Sequence, residues 1–286
     1  AQSRTPNDTL NAIRHFILGD DWNEAASLAE ERGRDLISAG LAESLLPLLD
    51  QLAWSSRRGA PGPRIQLLHG HALFALGRWS EAARSYEKCS SKEGPYVAAE
   101  ALLGQGKVDV QRHSSLALRH LNEAQERLDR LGALRLLAEA QYWIGGSYED
   151  SGRLDEARDA FEHGRAIAFD IGDRKWEGLC TYGIGRIKHF KKDWEGAIKE
   201  GLEALRLLER DGQRLEIAKV CTALCGYSLM LDKIEEAEKY ISRAVGEARA
   251  LGAKGILVSG LFNLASLERT MGRADKAISL FEEALE

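Results

Sequence analysis

"GRLDEARDAFEHG", residues Gly152–Gly164, decides the fold, because the phrase keeps returning along the chain. It reads "KDWEGAIKEGLEA" at 192–204, "DKIEEAEKYISRA" at 232–244 and "GRADKAISLFEEA" at 272–284. Alanines 117, 157, 197, 237 and 277 keep a step of forty residues, as do glycines 132, 172, 212 and 252. Two further columns hold the same register: Gly145, Gly185, Cys225 and Ala265, then Ile144, Ile184, Leu224 and Leu264. A fixed period in several independent columns is the mark of a repeat architecture.

Each unit divides into two helices. One runs from about Arg135 to Asp150 and the next from Asp155 to Phe169, where Leu154, Ala160 and Phe161 fall at helical spacing. The connection at Ser151-Gly152 is short, so the two helices are antiparallel neighbours. Gly172 and its equivalents sit where a helix must stop in a left-handed turn. A single hairpin cannot bury its apolar stripe, whereas stacking on the next covers it at ~1.5–3 kcal/mol per large side chain. Enlarging a small-residue column (Ala197→Leu or Gly185→Leu) is therefore expected to cost ~1–3 kcal/mol through overpacking, as thermal melts would read.

Gly145, Tyr148, Ala157, Phe161 and Gly164 follow one pattern, and Gly70, Ala82 and Tyr86 repeat it within "GHALFALGRWSEAARSYEKC" at 70–89. On these residues the chain resembles the tetratricopeptide-repeat family over roughly 64–286. The resemblance implies an all-α, right-handed superhelix, a solenoid of antiparallel helix pairs. The family's proline after the second helix is missing, and a forty-residue period exceeds its usual length, so helices and loops should differ from the standard unit.

The front end is repetitive but out of step. "LNAIRHFILGDDWNEAASLAEERGRDLISAG" (10–40) gives two helices around Gly19-Asp20-Asp21, "LAESLLPLLDQLAW" (41–54) a third, and "SSRRGAPGP" (55–63) a turn-rich break. The expected organisation is an irregular helical entry over 1–60 and a repeat array over 61–286, together one continuous domain. The words "AIRHFILGDDWNEAA", "LLPLLDQL" and "PRIQLLHGHALFALGRWSEAA" resemble, in that order, the superhelical arm of MalT-type regulators, LuxR-related ATPases of the STAND class. That resemblance implies an ATPase ahead of the arm, an effector or DNA-binding module after it, and an arm that senses an inducer or partner. The beginning "AQSRTPNDTL" and the ending "FEEALE", inside a second helix, fit a piece of a longer protein.

Composition narrows the function classes. The 286 residues are 44% hydrophobic and 29% charged with only 5 prolines, a soluble and helix-prone balance. A net charge of −5 does not provide the basic surface that phosphate neutralisation needs, so nucleic acid is not an expected partner. No apolar run nears the ~20 residues of a membrane span. Cys89, Cys180, Cys221 and Cys225 show no disulfide framework and suit a reducing compartment, which points to the cytoplasm.

Motifs that could carry chemistry fail on detail. "GQGKVD" (104–109) has Ala101 where a phosphate loop needs its first glycine and Val108 where it needs Ser or Thr. "GIGR" (183–186) lacks the third glycine of a dinucleotide fingerprint. Cys221 and Cys225 share a helical face without a local histidine, and are expected as core packing rather than metal ligands. No catalytic set, metal or cofactor is expected. The informative surface is the face of each first helix not used in stacking, which lines the groove of tetratricopeptide arrays. By register it carries Glu139, Tyr142, Gly146, Glu149 and Asp150 in one unit, Leu179, Tyr182, Arg186, His189 and Phe190 in the next, then Lys219, Thr222, Gly226 and Met230, and Ser259, Phe262, Ser266 and Arg269. The candidate ligand- or partner-binding residues are Tyr142, Glu149, Asp150, Tyr182, Arg186, His189, Phe262 and Arg269. The arginines suit carboxylate or phosphate recognition. The expected partner is a protein, a peptide or a small inducer, with neighbouring ATPase and effector domains reading the result; a stand-alone adaptor holding peptide segments is the alternative.

Overall fold

The computed structural model describes residues 5–54, 62–89 and 94–285. Among the described residues there are fifteen helices and no strand. The chain divides into two compact units, Ala1–Leu136 and Leu137–Glu286. The first contains α1 (Pro6–Leu18), α2 (Trp22–Ser38), α3 (Ala42–Trp54), α4 (Pro63–Ala75), α5 (Trp79–Glu87), α6 (Pro95–Gln111) and α7 (Ala117–Arg130). The boundary falls early in α8 (Leu134–Asp150), and the second unit continues with α9 (Leu154–Asp170), α10 (Arg174–Phe190), α11 (Trp194–Arg210), α12 (Arg214–Leu229), α13 (Ile234–Leu251), α14 (Lys254–Thr270) and α15 (Ala274–Leu285). Most of the turn-rich stretch read at 55–63 lies outside the described residues.

Within each unit the packing is one-dimensional. In the second, α10 packs on α9, α11 and α12, and α12 on α10, α11, α13 and α14, so these helices pack on partners one and two places along the chain. Helical neighbours one and two places along the chain are what stacked hairpins require.

The repeating glycines do the work their positions predict. Gly132, Gly172 and Gly212 adopt φ of +62°, +70° and +63° one residue beyond the helix cap. The Gly132 amide donates to the Asp129 carbonyl at 2.9 Å and the next amide, Ala133, to Leu128 at 3.0 Å. Asp173 to Ala168 at 2.9 Å and Gln213 to Leu208 at 3.1 Å repeat the motif. This double closure satisfies carbonyls that a helix end otherwise leaves bare.

The core is built by wedges. Phe161 on α9 is fully buried, and a Cβ added at Gly145 of α8 or Gly183 of α10 would come within 2.6 Å of its ring. Tyr86 on α5 stands in the same relation to Gly70 of α4 and Gly104 of α6, where an added Cβ would lie 2.6 and 2.5 Å from its ring. An aromatic ring from a second helix thus occupies the space two first helices leave by lacking side chains, the complementarity that fixes their spacing. Further along, the hole and the knob exchange helices: Gly201 of α11 receives Leu224 of α12. Gly104 and Gly106 of the loop-like "GQGKVD" are interior residues of α6 packed on Tyr86 and Leu121, and Gly183 and Gly185 of "GIGR" are interior to α10. All four cysteines are buried free thiols, and burial pushes those of Cys221 and Cys225 up to about 11. They pack as small apolar side chains. No described helix is long and apolar enough to cross a membrane.

Candidate functional site

The first helices of the second unit, α8, α10, α12 and α14, share a register in which residues four apart lie on one face. Arg186 occupies this face on α10. Its guanidinium lies 5.1 Å from the ring centre of Tyr182, one turn earlier, and 5.6 Å from that of Phe161. Its Nη2 stands 2.9 Å from Oε2 of Glu149, near the end of α8. The charges touch without an aligned hydrogen bond: neither Glu149 Oε2 nor Arg186 Nε has a hydrogen-bond partner. The Glu149 side chain is 8% exposed and that of Arg186 28%, so the carboxylate lies deeper than its partner.

Burial dominates the electrostatics here. It raises the Glu149 carboxyl above the ordinary carboxylate range, with Arg186 pulling the other way and Asp150 adding to the rise. It pushes the Tyr142 phenol up to about 12, and those of Tyr182 and Tyr227 up as well. Three neutral phenols therefore surround one buried ion pair, since desolvation penalises each charged form. His189 lies over Tyr227 of α12 with ring centres 4.9 Å apart, and its Nδ1, shielded from water, has no partner.

Space borders this pair on both sides. Gly146 and Gly226 are the counterparts of Arg186 one repeat before and after, and a Cβ added at either would meet nothing within 4 Å. Helix-interior glycine costs about 1 kcal/mol relative to alanine. These two are not explained by crowding, unlike their neighbours Gly145 and Gly183.

Of the residues read from the sequence, Tyr142, Glu149, Tyr182 and Arg186 come together, and His189 joins them through Tyr227. Tyr142 is turned further inward than the register implied: its ring packs 5.9 Å from Phe161 and 5.8 Å from Trp176. Asp150 is exposed beside Glu149. Phe262 and Arg269 lie on α14; Phe262 is 58% exposed and packs edge-on against Phe281 of α15 at 5.3 Å. Sequence reasoning missed Trp176, Phe161 and Tyr227 as walls of this centre. Tyr227 falls in a column otherwise held by Ser147, Ile187 and Leu267, which reads as stacking. Among the described residues, no group of three or more His, Cys, Asp or Glu is placed to hold a metal ion.

The architecture defines a helical-hairpin repeat protein with a polar-aromatic centre on its first helices. Residues 67–108 and 113–168 match a family model for the tetratricopeptide repeat, and residues 258–286 match a second such model. One curated relative, the 43 kDa receptor-associated protein of the synapse from Tetronarce californica, is 24% identical over 140 residues, 49% of this chain. The match spans about a third of that relative's length (34%). Solved structures of similar fold include a Rap protein complexed with Competence and Sporulation Factor (TM-score 0.70, 15% identity, 92% of this chain and 76% of that one). NprR in complex with its cognate peptide NprX is also similar (TM-score 0.64, 17% identity, 98% and 88%). So is a STAND protein with a tetratricopeptide repeat sensor from Pyrococcus horikoshii (TM-score 0.58, 15% identity, 99% and 50%).

Proposed function

We propose that this chain is the sensing arm of a larger signalling protein, an interaction domain that takes a peptide or protein segment on the first-helix face of its second unit. The observation that carries the reading is the Glu149–Arg186 pair, unsatisfied in its hydrogen bonding and bordered by open glycines. Buried polar groups are normally paired, and an exception calls for an explanation. The fold neighbours support a peptide: NprR was solved with its cognate peptide, a Rap protein with Competence and Sporulation Factor, and a third carries its repeats as the sensor of a STAND ATPase. In this reading residues 1–60 are the irregular entry and 61–286 the array of one arm. The arm works in the cytoplasm, its role is binding rather than catalysis, and ATPase and effector domains respond to it.

The test is selection of a phage-displayed library of ten-residue peptides on the purified chain. Enriched peptides should lose affinity about tenfold or more for Tyr182→Ala and Arg186→Ala, while circular dichroism reports unchanged helix content. Peptides that bind both variants as well as the parent would remove the site from this face. The likeness to the receptor-associated protein of the synapse supports a second reading, an adaptor holding partner segments outside any ATPase. Joining the arm to its own coding neighbours decides between them: a bound peptide that changes nucleotide hydrolysis supports the sensor, and no linked ATPase supports the adaptor.

A further inference from the structure

The Glu149–Arg186 centre presents a donor and an acceptor side by side, and this pairing selects the chemistry of its guest. We infer, resting on the peptide-binding reading above, that it receives an uncharged main-chain amide of an extended peptide and discriminates against a carboxylate. An amide carries one acceptor and one donor: its carbonyl accepts from the idle Arg186 N–H and its N–H donates to Glu149 Oε2. Guanidinium has five donors, and Arg186 faces Glu149 with only Nη2, without an aligned hydrogen bond.

Charge balance argues against an anion. Glu149 and Arg186 cancel, Glu216 and Lys219 on α12 pair with each other at 2.9 Å, and Asp150 leaves a negative excess. A carboxylate guest would set a second negative charge beside a carboxylate that is already buried, whereas an amide adds none. The Arg186 side chain is 28% exposed, while its Nε and the Oε2 of Glu149 are shielded from water. Seating the guest swings the part-exposed Arg186 side chain outward, so that the idle donor and acceptor meet the ligand amide. The bare columns at Gly146 and Gly226 leave room for a backbone to approach. One turn beyond Arg186 and Gly226 stand Phe190 and Met230, 55% and 51% exposed, an apolar shelf for the neighbouring side chain.

Isovaleramide and isovalerate test this directly, because they share an apolar tail and differ in amide against carboxylate. Each is titrated into the full chain labelled with nitrogen-15, following the Arg186 Nε–H resonance, assigned by its loss in Arg186→Lys. Isovaleramide should shift that signal and reach half-saturation at a concentration about tenfold or more below isovalerate. Gly226→Leu, whose Cβ meets nothing within 4 Å, should abolish the shift with the helical circular dichroism unchanged. Equal or stronger binding of isovalerate would overturn the inference in favour of an anion site. No shift with either compound, or an undiminished shift in Gly226→Leu, would also overturn it. Library peptides that still depend on Tyr182 would then leave the peptide-binding reading standing; amide binding without any enriched peptide would sink that broader reading alone.

Discussion

Two buried carboxylates, one in each unit, are treated in opposite ways. Glu100 on α6 is 4% exposed and is held by Arg34 and by His71, whose Nε2 lies 3.1 Å away. The other His71 nitrogen, Nδ1, is 2.9 Å from the Tyr86 hydroxyl. A neutral imidazole donating from Nε2 to Glu100 and accepting at Nδ1 from Tyr86 closes that chain, so each member has a partner. Glu149 has only Arg186, and donors and acceptors remain idle around it. A closed network specifies a structure; an open one beside empty space leaves bonds for a guest to complete. The comparison separates a closed polar cluster from an open one, and the proposed site is the open one.

The strongest way to break the comparison is to remove one partner from each centre. Glu100→Ala should destabilise the chain by about 3 kcal/mol in urea unfolding, since His71 and Tyr86 lose the group that completes their chain. Glu149→Gln, which keeps the shape, removes a charge that burial disfavours and leaves the part-exposed Arg186 against the Tyr182 and Phe161 rings, should cost about 1 kcal/mol or less. Equal costs would mean the second centre is as architectural as the first.

Neighbouring glycines sharpen the same contrast. Gly145→Ala places a Cβ about where the Phe161 ring stands, and should destabilise by ~1–3 kcal/mol. Gly146→Ala, one residue on, meets nothing and should stabilise by ~0.5–1 kcal/mol. Thermal melts of the two variants should move in opposite directions. If both fell, the open column would be an interior surface after all.

Acid should act on the two centres with opposite sign. Burial, then the charges of Arg34 and Lys107, hold the His71 imidazole well below its ordinary 6.5. The unfolded chain therefore binds its proton first, and the His71 contribution to stability is lost as pH falls below about 6.5. Glu149 is raised, so the folded chain binds that proton more tightly and the contribution of Glu149 grows as pH falls toward 4.5. Between pH about 7 and about 5, His71→Gln should lose less stability than the parent and Glu149→Gln more, in urea titrations at each pH. Parallel profiles for the three proteins would refute the assignment.

How much of this was legible in the sequence follows from what a period can encode. Columns of alanine and glycine fixed the hairpins, the helix ends and the small-to-large packing, because steric demands repeat with the backbone. The glycine column at 132, 172, 212 and 252 is left-handed throughout, with φ between +62° and +70°. The face that carries Tyr182, Arg186 and Glu149 was also legible, since helical register alone sets it. The pairing of Glu149 with Arg186 was not, because it runs between α8 and α10 on a diagonal rather than along a column. A signal for it exists: ion pairs between repeats recur at separations of 33 to 37 residues, as in Arg214–Glu247, Arg249–Glu283, Arg273–Glu238, Lys191–Asp155 and Arg174–Asp211. Each is one repeat less one or two turns. The packing of Tyr142 on Trp176 and Phe161 was not legible either, because a side-chain rotamer is invisible to periodicity.

The smallest effect lies in the turn inside each hairpin, where the period is broken in chemistry but kept in shape. Residues 152, 192, 232 and 272 all have positive φ, at +72°, +64°, +56° and +77°, but only the first and last are glycine. Lys192 and Asp232 hold a left-handed conformation in which a Cβ crowds the following carbonyl, at roughly 1–2 kcal/mol. Replacing either by glycine relieves that strain but enlarges the freedom of the unfolded chain, so Lys192→Gly should stabilise by only about 0.5 kcal/mol. The turn lies outside the Arg186 centre, so the isovaleramide titration should be unchanged while the melting temperature rises slightly. A stabilised turn with altered ligand binding would show that hairpin geometry and the site are coupled, and the division between architecture and site would then have to be drawn elsewhere.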